Sequence, residues 1–468
     1  MAESDLWSVD ANSALELSLV EPTEHGLTTV TRFHPRFTYP LFGEEEQIFG
    51  YQDLKINLQY HAPDMRPNVK ITHSKKFKSI GETQPTDLDA LLQEYLPPVA
   101  FAKNREFQDA IRLMPADWTP PGEILSEFDG ADGAKFEIRR SSLADDATRQ
   151  IIDRVQLLIL LFIEGGSYIG TDTNDSLDRW DIFFLYNKKP SKTDGTSRYQ
   201  FAGYSTVYKF FPLQRFPLEP KEARENLELP SGEFPFSNLR SRTRISQFLI
   251  LPPFQKSGNG SRLYRTIYEY CLRDPNVIEV TVEDPNEAFD DMRDVADLDF
   301  LRQKTEFTDL KINTEIHIPR QGAAPRGIVD EIKSEEVRCL YRIAPRQFSR
   351  VLEMHLMSRL AETVRPTLTD TKIVAKPTKA ETHEYDLWKL FVKQRLYRHN
   401  KEVLSQLDRH DRIDRLNETL GSVELEYARI LALAERRSQA TTSNLKRKLE
   451  NVKNEEGSAS KKARVEDA

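Results

Sequence analysis

The run from Arg244 to Asp284 constrains the fold more than any other part of the chain, because three kinds of local structure follow one another there in a fixed order. ISQFLIL is an apolar, β-branched strand run. Gln255-Lys256-Ser257-Gly258-Asn259-Gly260-Ser261 is a turn with two glycines, and Leu263, Ile267 and Cys271 then recur every fourth residue as the apolar stripe of a helix. VIEVTVED closes the run, so a strand, a tight turn, a helix and a second strand are predicted in that order. Glycines at 258 and 260 let the backbone turn sharply and bring its N–H groups up to a ligand. The following helix presents its positive end to an anion such as phosphate.

Several phosphate chemistries compete for such a turn. A P-loop needs Gly-Lys-Ser/Thr after four intervening residues, which this sequence lacks. A dinucleotide fingerprint needs a third small residue where Leu263 and Tyr264 stand, and it needs alternating βαβ units upstream. What precedes the turn is instead a series of apolar segments, VQLLILLFI, RWDIFFLY, FAGYSTVYKFF and RISQFLILPPF, separated by turn-rich stretches and read most simply as a largely antiparallel meander. Taken alone, the heptapeptide also fits a glycine-rich turn with no ligand.

Around this centre, residues 1–130 mix short strand-like runs with Pro and Gly, as in IFGYQDLKINLQYHAP, where Ile56, Leu58 and Tyr60 alternate with polar neighbours. A small α/β domain is predicted there. Residues 301–437 are read as mostly helical, with Leu404, Leu407, Ile413 and Leu416 at helical spacing. From 438 to 468 the Ser, Lys, Asn and Glu content predicts disorder. The 468 residues suffice for two or three domains.

Composition excludes several functions. Cys271 and Cys339 are the two cysteines, so neither a disulfide framework nor zinc-ligand spacing is available, and no metal is expected. Cys271 lies on the apolar stripe and is read as core. VQLLILLFI is about half the length needed to span a bilayer, and the acidic start MAESDLWSVD is unlike a signal peptide. No membrane association or export is expected. A net charge of −8 argues against direct nucleic-acid binding and suits a basic peptide substrate.

Gln255, Gly258 and Gly260 fill the Gln/Arg-x-x-Gly-x-Gly/Ala signature of the GNAT acetyltransferase superfamily, which this chain resembles. RISQFLILPPFQKSGNGSRLYRTIYEY, VIEVTVEDPNEAFDDMRD, FIEGGSYI, RWDIFFLY, GYSTVYKFF and LFGEEEQIFGYQDLKI together resemble the type B histone acetyltransferases over about residues 35–350. The resemblance implies an α/β fold with a mixed sheet: a GNAT core at 131–300 after the N-terminal, substrate-side α/β domain, with helices C-terminal to it. It implies acetyl-CoA as co-substrate, its pantetheine arm on the backbone of Phe248, Leu249 and Ile250. The pyrophosphate would sit on the amides of Gln255, Lys256, Ser257, Gly258, Asn259, Gly260 and Ser261. Lys256 itself is read as a solvated loop charge. Asn286 and Arg293 match cofactor-side positions, although the family's arginine two places beyond Arg293 is Val295 here.

A substrate lysine arrives protonated, and its neutral form at pH 7 costs about 4.6 kcal/mol, so a general base must help. Glu283 closes the strand beside the cofactor turn. By resemblance it is the base, with Asp284 and Glu164 as assisting carboxylates and with direct attack of the amine on the thioester. Adjacent strand residues point to opposite sides, so Asp284 is read equally as the cap of a helix beginning near Pro285. The acidic runs Glu44-Glu45-Glu46 and Asp172 to Asp178 are candidates for attracting a basic tail. The resemblance places histone H4 contacts (with histone H3 as its companion) near Glu45 and Glu46 and at Tyr208, Lys209 and Phe210. It further implies a WD-repeat histone chaperone partner. Lys446-Arg447-Lys448 and Lys461-Lys462-Ala463-Arg464 resemble a bipartite import signal, and a cytoplasmic and nuclear location is expected. The rival expectations are an acetyltransferase of another protein or small amine, and a histone-binding scaffold without catalysis.

Overall fold

The computed structural model describes residues 6–463 apart from 131–132, 171–173, 191–196, 212–239, 320–323 and 369–374, with backbone alone beyond residue 439. Two compact units result, Met1–Asp284 and Pro285–Ala468. The first begins with β1 (Ser8–Asp10), β2 (Leu15–Thr23), β3 (Gly26–Phe33), β4 (Gln47–Phe49), β5 (Tyr51–Gln52), β6 (Lys55–His61), β7 (Pro67–Thr72) and β8 (Lys75–Lys76). Four of these make a sheet in the order β3-β2-β6-β7, in which β2 and β6 run parallel. The predicted alternation holds: Ile56, Leu58 and Tyr60 of β6 are buried while Lys55 is exposed. Short helices α1 (Ala11–Ala14), α2 (Tyr39–Phe42), α3 (Leu88–Gln93) and α4 (Asn104–Arg112) border this sheet.

A larger, six-stranded sheet follows in the order β14-β13-β12-β11-β10-β9. Its strands are β9 (Glu123–Asp129), β10 (Lys135–Ser142), β11 (Trp180–Pro190), β12 (Ser197–Phe210), β13 (Ser241–Ile250) and β14 (Val277–Val282). All neighbours are antiparallel except β13 and β14, which are parallel, as the intervening helix α6 (Asn259–Arg273) requires. Leu263, Ile267 and Cys271 of α6 are buried, as the four-residue spacing predicts.

One member of the expected meander is corrected. VQLLILLFI lies in α5 (Asp146–Phe162), capped by Asp145, whose carboxylate accepts from the Thr148 amide at 2.8 Å. This helix is buried nearly all round, so its apolar run shows no 3.6-residue period to distinguish it from a buried strand.

The two sheets share a core. Leu17, Ile56 and Tyr60 of the first sheet join Ile152, Val155 and Ile159 of α5 and Ile182, Phe184, Tyr186 and Phe201 of the second in one cluster of buried side chains. Arg154 of α5 extends the link by donating to Asp64 at 2.7 Å, and Asp64 also meets His61 at 2.6 Å. The boundary expected near 130 falls inside the large sheet, between β9 and β10, and the two sheets share one core. On the opposite face of the large sheet α6 packs through Tyr270, 5.5 Å from Phe183.

The second unit is helical: α7 (Glu287–Leu301), α8 (Thr305–Thr308), α9 (Glu331–Leu340), α10 (Pro345–Arg359), α11 (Lys379–His399), α12 (Lys401–Leu404) and α13 (Arg409–Ala463). Its interior holds charge. Gln347 donates to Asp294 and Asp297 at 2.9 Å each, and Arg350 pairs with Asp294 at 2.6 Å. Buried Glu353 takes both ends of the Arg395 guanidinium, at 2.7 and 2.8 Å, and the Tyr427 hydroxyl at 2.8 Å. Each buried acid thus has a donor, without which its desolvation would be prohibitive.

The stripe expected from Leu404 to Leu416 is broken between α12 and α13. Leu404 is buried and Ile413 is exposed. The backbone of 438–463, read from sequence as disordered, continues α13 as helix; no proline follows Pro377, and Lys, Arg, Glu, Leu and Ala favour that state. Arg464, the last residue of the import-like signal, lies outside the described residues. Among those described, no helix is long and apolar enough to cross a membrane.

Candidate active site

The site begins with an irregularity in β13. Ser205 pairs with Phe248 and Val207 with Ile245, so Ser246 and Gln247 together stand opposite Thr206 alone. Such a bulge bends its strand. Pairing of β13 with β14 ends at Ile245–Val282, after which β13 runs on through Phe248, Leu249 and Ile250, where among the described residues no strand pairs with that edge. The two parallel strands therefore part at Ser246. On the other edge Gly203 lets β12 come close, for a Cβ there would lie 2.3 Å from the Leu249 carbonyl oxygen.

The signature turn is held by its own side chains, and the Gln255 amide is used within it, donating to Pro252 O at 3.2 Å. Gln255 Nε2 donates to the Ile250 carbonyl at 2.7 Å, Ser257 Oγ to the Phe254 carbonyl at 3.1 Å, and Asn259 Nδ2 to the same carbonyl at 2.9 Å. Lys256 (φ 61°) and Gly258 (φ 85°) both take left-handed backbone. Lys256 is exposed, as a solvated loop charge would be. Gly258 precedes α6 with no side-chain cap, and the first backbone bond into the helix is Arg262 N–H to Gly258 O at 3.1 Å. The amides of Asn259, Gly260 and Ser261 thus precede the helix's own hydrogen-bond ladder, at the positive end of a fifteen-residue helix, with Asn259 itself buried. Caps close other helices, including Asp145 at α5 and Asn286 at α7. An uncapped, glycine-bent helix end fits the diphosphate of acetyl-CoA, and the bared edge of β13 fits an arm that hydrogen-bonds like a peptide strand.

Glu283 follows β14 and is tied back to β13 by its own N–H, which donates to Ile245 O at 2.9 Å. Its side chain is 44% exposed. Ser246 Oγ donates a short hydrogen bond to Glu283 Oε2, and Arg244 Nη1 lies 3.7 Å from Oε1. Arg244 in turn sits over the Phe210 ring at 4.5 Å, Phe210 meets Tyr208 at 4.7 Å, and Tyr208 meets Trp180 at 4.7 Å. Registers Trp180–Tyr208–Arg244–Thr281 put these groups on one sheet face with Glu283. A half-buried aromatic shelf therefore leads to a carboxylate at the point where the strands part.

Asp284 adopts φ 32°, a left-handed conformation uncommon for a side-chain-bearing residue. The capping role read for it belongs to Asn286, whose Oδ1 accepts from the Phe289 amide at 2.9 Å, because the helix starts at Glu287 rather than near Pro285. Asn286 and Arg293, both expected at the cofactor, belong to the second unit, where Arg293 is buried and 3.5 Å from Asp297. Glu164 is exposed in the loop after α5, and that loop is joined to the bulge by Gln247 Nε2 donating to Ser167 O at 2.7 Å.

The acidic run near residue 45 divides. Glu44 and Glu45 are exposed, whereas Glu46 turns inward, accepting from the amides of Thr38 and Tyr39 (3.0 Å) and from Asn12 Nδ2 (2.8 Å). The Thr38 amide, foremost among these donors, holds the Glu46 carboxyl below its usual range. Lys209 points away from the shelf and pairs with buried Asp181 at 3.1 Å. Asp172 lies outside the described residues.

Sequence reading missed Arg244, Ser246, Gln247 and Trp180. The signal was present in ISQFLIL, where Ser-Gln interrupts an otherwise apolar strand, but a polar pair inside a strand does not by itself announce a bulge. Among the described residues no cluster of His, Cys, Asp and Glu could hold a metal ion.

The family model described as Histone acetyl transferase HAT1 N-terminus matches residues 7–164, ending just past α5. A histone acetyltransferase type B catalytic subunit of Pyricularia oryzae is 93% identical over all of both chains. That of Gibberella zeae is 49% identical over all of both, and that of Neurospora crassa is 43% identical over 100% of this chain and 99% of its own. Among solved structures, a soil-metagenome aminoglycoside acetyltransferase aligns at 12% identity over 40% of this chain and 97% of its own, with a TM-score of 0.20, too slight a likeness to add to the fold. With whole-length identity of this order, the chain belongs to the type B histone acetyltransferase catalytic subunits.

Proposed function

We propose that the enzyme transfers acetyl from acetyl-CoA to lysines in the N-terminal tail of newly made histone H4, with Glu283 as general base. The observation that carries this reading is the position of Glu283, a half-exposed carboxylate where β13 and β14 part, at the end of the shelf formed by Trp180, Tyr208 and Phe210. Acetyl-CoA supplies an activated thioester. The amides of Asn259, Gly260 and Ser261 would hold its diphosphate and the backbone of Phe248 to Ile250 its pantetheine arm. Glu283 would take the proton of the substrate ammonium. The free amine then forms the new C–N bond, an amide of β13 stabilising the negative charge that develops on the acyl oxygen; as the C–S bond breaks, CoA leaves with its electron pair on sulfur, takes up the proton lost by the new amide nitrogen and departs as the thiol.

Tyr208 and Phe210 offer aromatic surface to the methylene stem of a lysine, and Glu44 and Glu45 offer negative charge to the rest of a basic tail. Glu46 and Lys209 enter this reading through the backbone they fix, their own charges being engaged within the chain. Glu164 and Asp284 are the assisting carboxylates. A WD-repeat histone chaperone as partner, H4 presented together with H3, and use of the basic residues 446–464 for nuclear import complete the proposal.

The test is transfer of labelled acetyl to an H4 N-terminal peptide. Glu283→Gln should keep acetyl-CoA affinity and lose about 10²- to 10⁴-fold in kcat, the usual contribution of a general base. Wild-type enzyme that binds acetyl-CoA but leaves this peptide unmodified would remove H4 and favour another amine.

A further inference from the structure

We propose that Ser246 and Gln247, the two residues of the β13 bulge, are positioning residues that hold Glu283 in line for the incoming amine, an inference that rests on the general-base reading of Glu283.

Adjacent residues in extended chain point to opposite sides, and here the two sides have different tasks. Gln247 turns into the core and is 6% exposed. Its backbone N–H, which the bulge leaves without a strand partner, donates to Thr206 Oγ1 at 2.9 Å. Its side-chain Oε1 accepts from the Tyr204 hydroxyl at 3.1 Å, and its Nε2 donates to Ser167 O at 2.7 Å. Three bonds in three directions thus lock the bulge to β12 and to the loop that carries Glu164.

Ser246 faces the other way and donates to Glu283 Oε2. A glutamate 44% exposed at a strand end would otherwise sample several rotamers. With Oε2 held, the freedom left to Oε1 is small, and this is the oxygen that must meet the substrate ammonium. The chain of support runs Ser167 and Tyr204 to Gln247, through the bulge backbone to Ser246, and so to Glu283.

The experiment compares full-length wild type, Ser246→Ala, Ser246→Thr, Glu283→Gln and the Ser246→Ala/Glu283→Gln double variant, measuring kcat and KM for acetyl-CoA and for the H4 peptide. Loss of one charge-assisted hydrogen bond should lower kcat of Ser246→Ala about tenfold while KM for acetyl-CoA stays within about twofold. Ser246→Thr, which keeps the hydroxyl, should recover most of the rate. The double variant should be no slower than Glu283→Gln, since Ser246 acts through Glu283. Thr206→Val removes the acceptor of the bulge amide with little change of shape, and should lower kcat while the chain still melts cooperatively.

Unchanged kcat in Ser246→Ala, or a further tenfold loss when Ser246→Ala is added to Glu283→Gln, overturns the proposal. Wild-type rates in Thr206→Val overturn the part assigned to Gln247. A fully active Glu283→Gln refutes the general base itself, which is a separate failure.

Discussion

Replacing Gly203 by alanine tests whether the close approach of β12 shapes β13, the strand proposed to carry the pantetheine arm. The added Cβ would lie 2.3 Å from Leu249 O and 2.9 Å from Ile250 Cα, both backbone atoms, so no side-chain rotation relieves the contact. Ordinary contact begins near 3.4 Å, so the strands must separate by about 1 Å beside the Leu251 N–H to Ala202 O bond, now 2.9 Å. Overpacking of this kind costs about 1–3 kcal/mol, and a weakened backbone bond adds about 1 kcal/mol. Alanine stiffens the unfolded chain and returns about 0.4–1 kcal/mol. A net loss of about 1–3 kcal/mol corresponds to a fall in Tm of about 2–5 °C for a unit of this size. Because Leu249 and Ile250 move with β13, acetyl-CoA affinity should fall as well, while KM for the peptide changes less. Thermal melts and acetyl-CoA titration calorimetry read both effects. A Tm within about 1 °C of wild type together with unchanged acetyl-CoA affinity would refute the reasoning.

Gly258→Ala meets open space, but at φ 85° alanine is strained by about 1–2 kcal/mol; KM for acetyl-CoA should rise several-fold with kcat nearly unchanged. His355 is buried against Phe307 with neither ring nitrogen hydrogen-bonded, and burial, with Arg302 and Arg359 nearby, lowers its pKa to about 4. The folded chain therefore keeps it neutral, so its contribution is fully present above pH 6.5 and is lost as pH falls from 6.5 through 4. Urea midpoints of His355→Leu should fall less steeply across that window than those of wild type. Arg395→Met strips buried Glu353 of its cation and should cost about 3–5 kcal/mol in urea unfolding. Adding Glu353→Gln should recover part of that loss.

The strand, turn and helix around Gly258 were legible because each carries a local signature: β-branched residues, two glycines, and Leu263, Ile267 and Cys271 on one face. Glu283 was read as closing VIEVTVE, and the structure places it one residue past the end of β14. The helix α5 was not, since a helix buried on all sides loses the period that identifies it. The bulge was not either, because it exists through pairing with Thr206, thirty-nine residues upstream of Ile245, a relation no local window contains. Glu46 looked like free charge in an acidic run, yet its partners Asn12, Thr38 and Tyr39 arrive only when the chain closes. The cap at Asn286 went to a residue chosen for another task, for the helix begins two residues later than Pro285 suggested.

The single core beneath both sheets of the first unit has a consequence for how this enzyme can be cut or recombined. A gene fragment beginning at β9 would keep every residue of the Gln255–Ser261 turn, yet it would bare the core that α5 and β11 share with Leu17, Ile56 and Tyr60. Such a fragment would aggregate rather than work at reduced rate. The four-stranded sheet is accordingly no accessory that selection could add to or trim from a free-standing catalyst; it is half of the fold on which the larger sheet depends, and the two halves are bound to be inherited together.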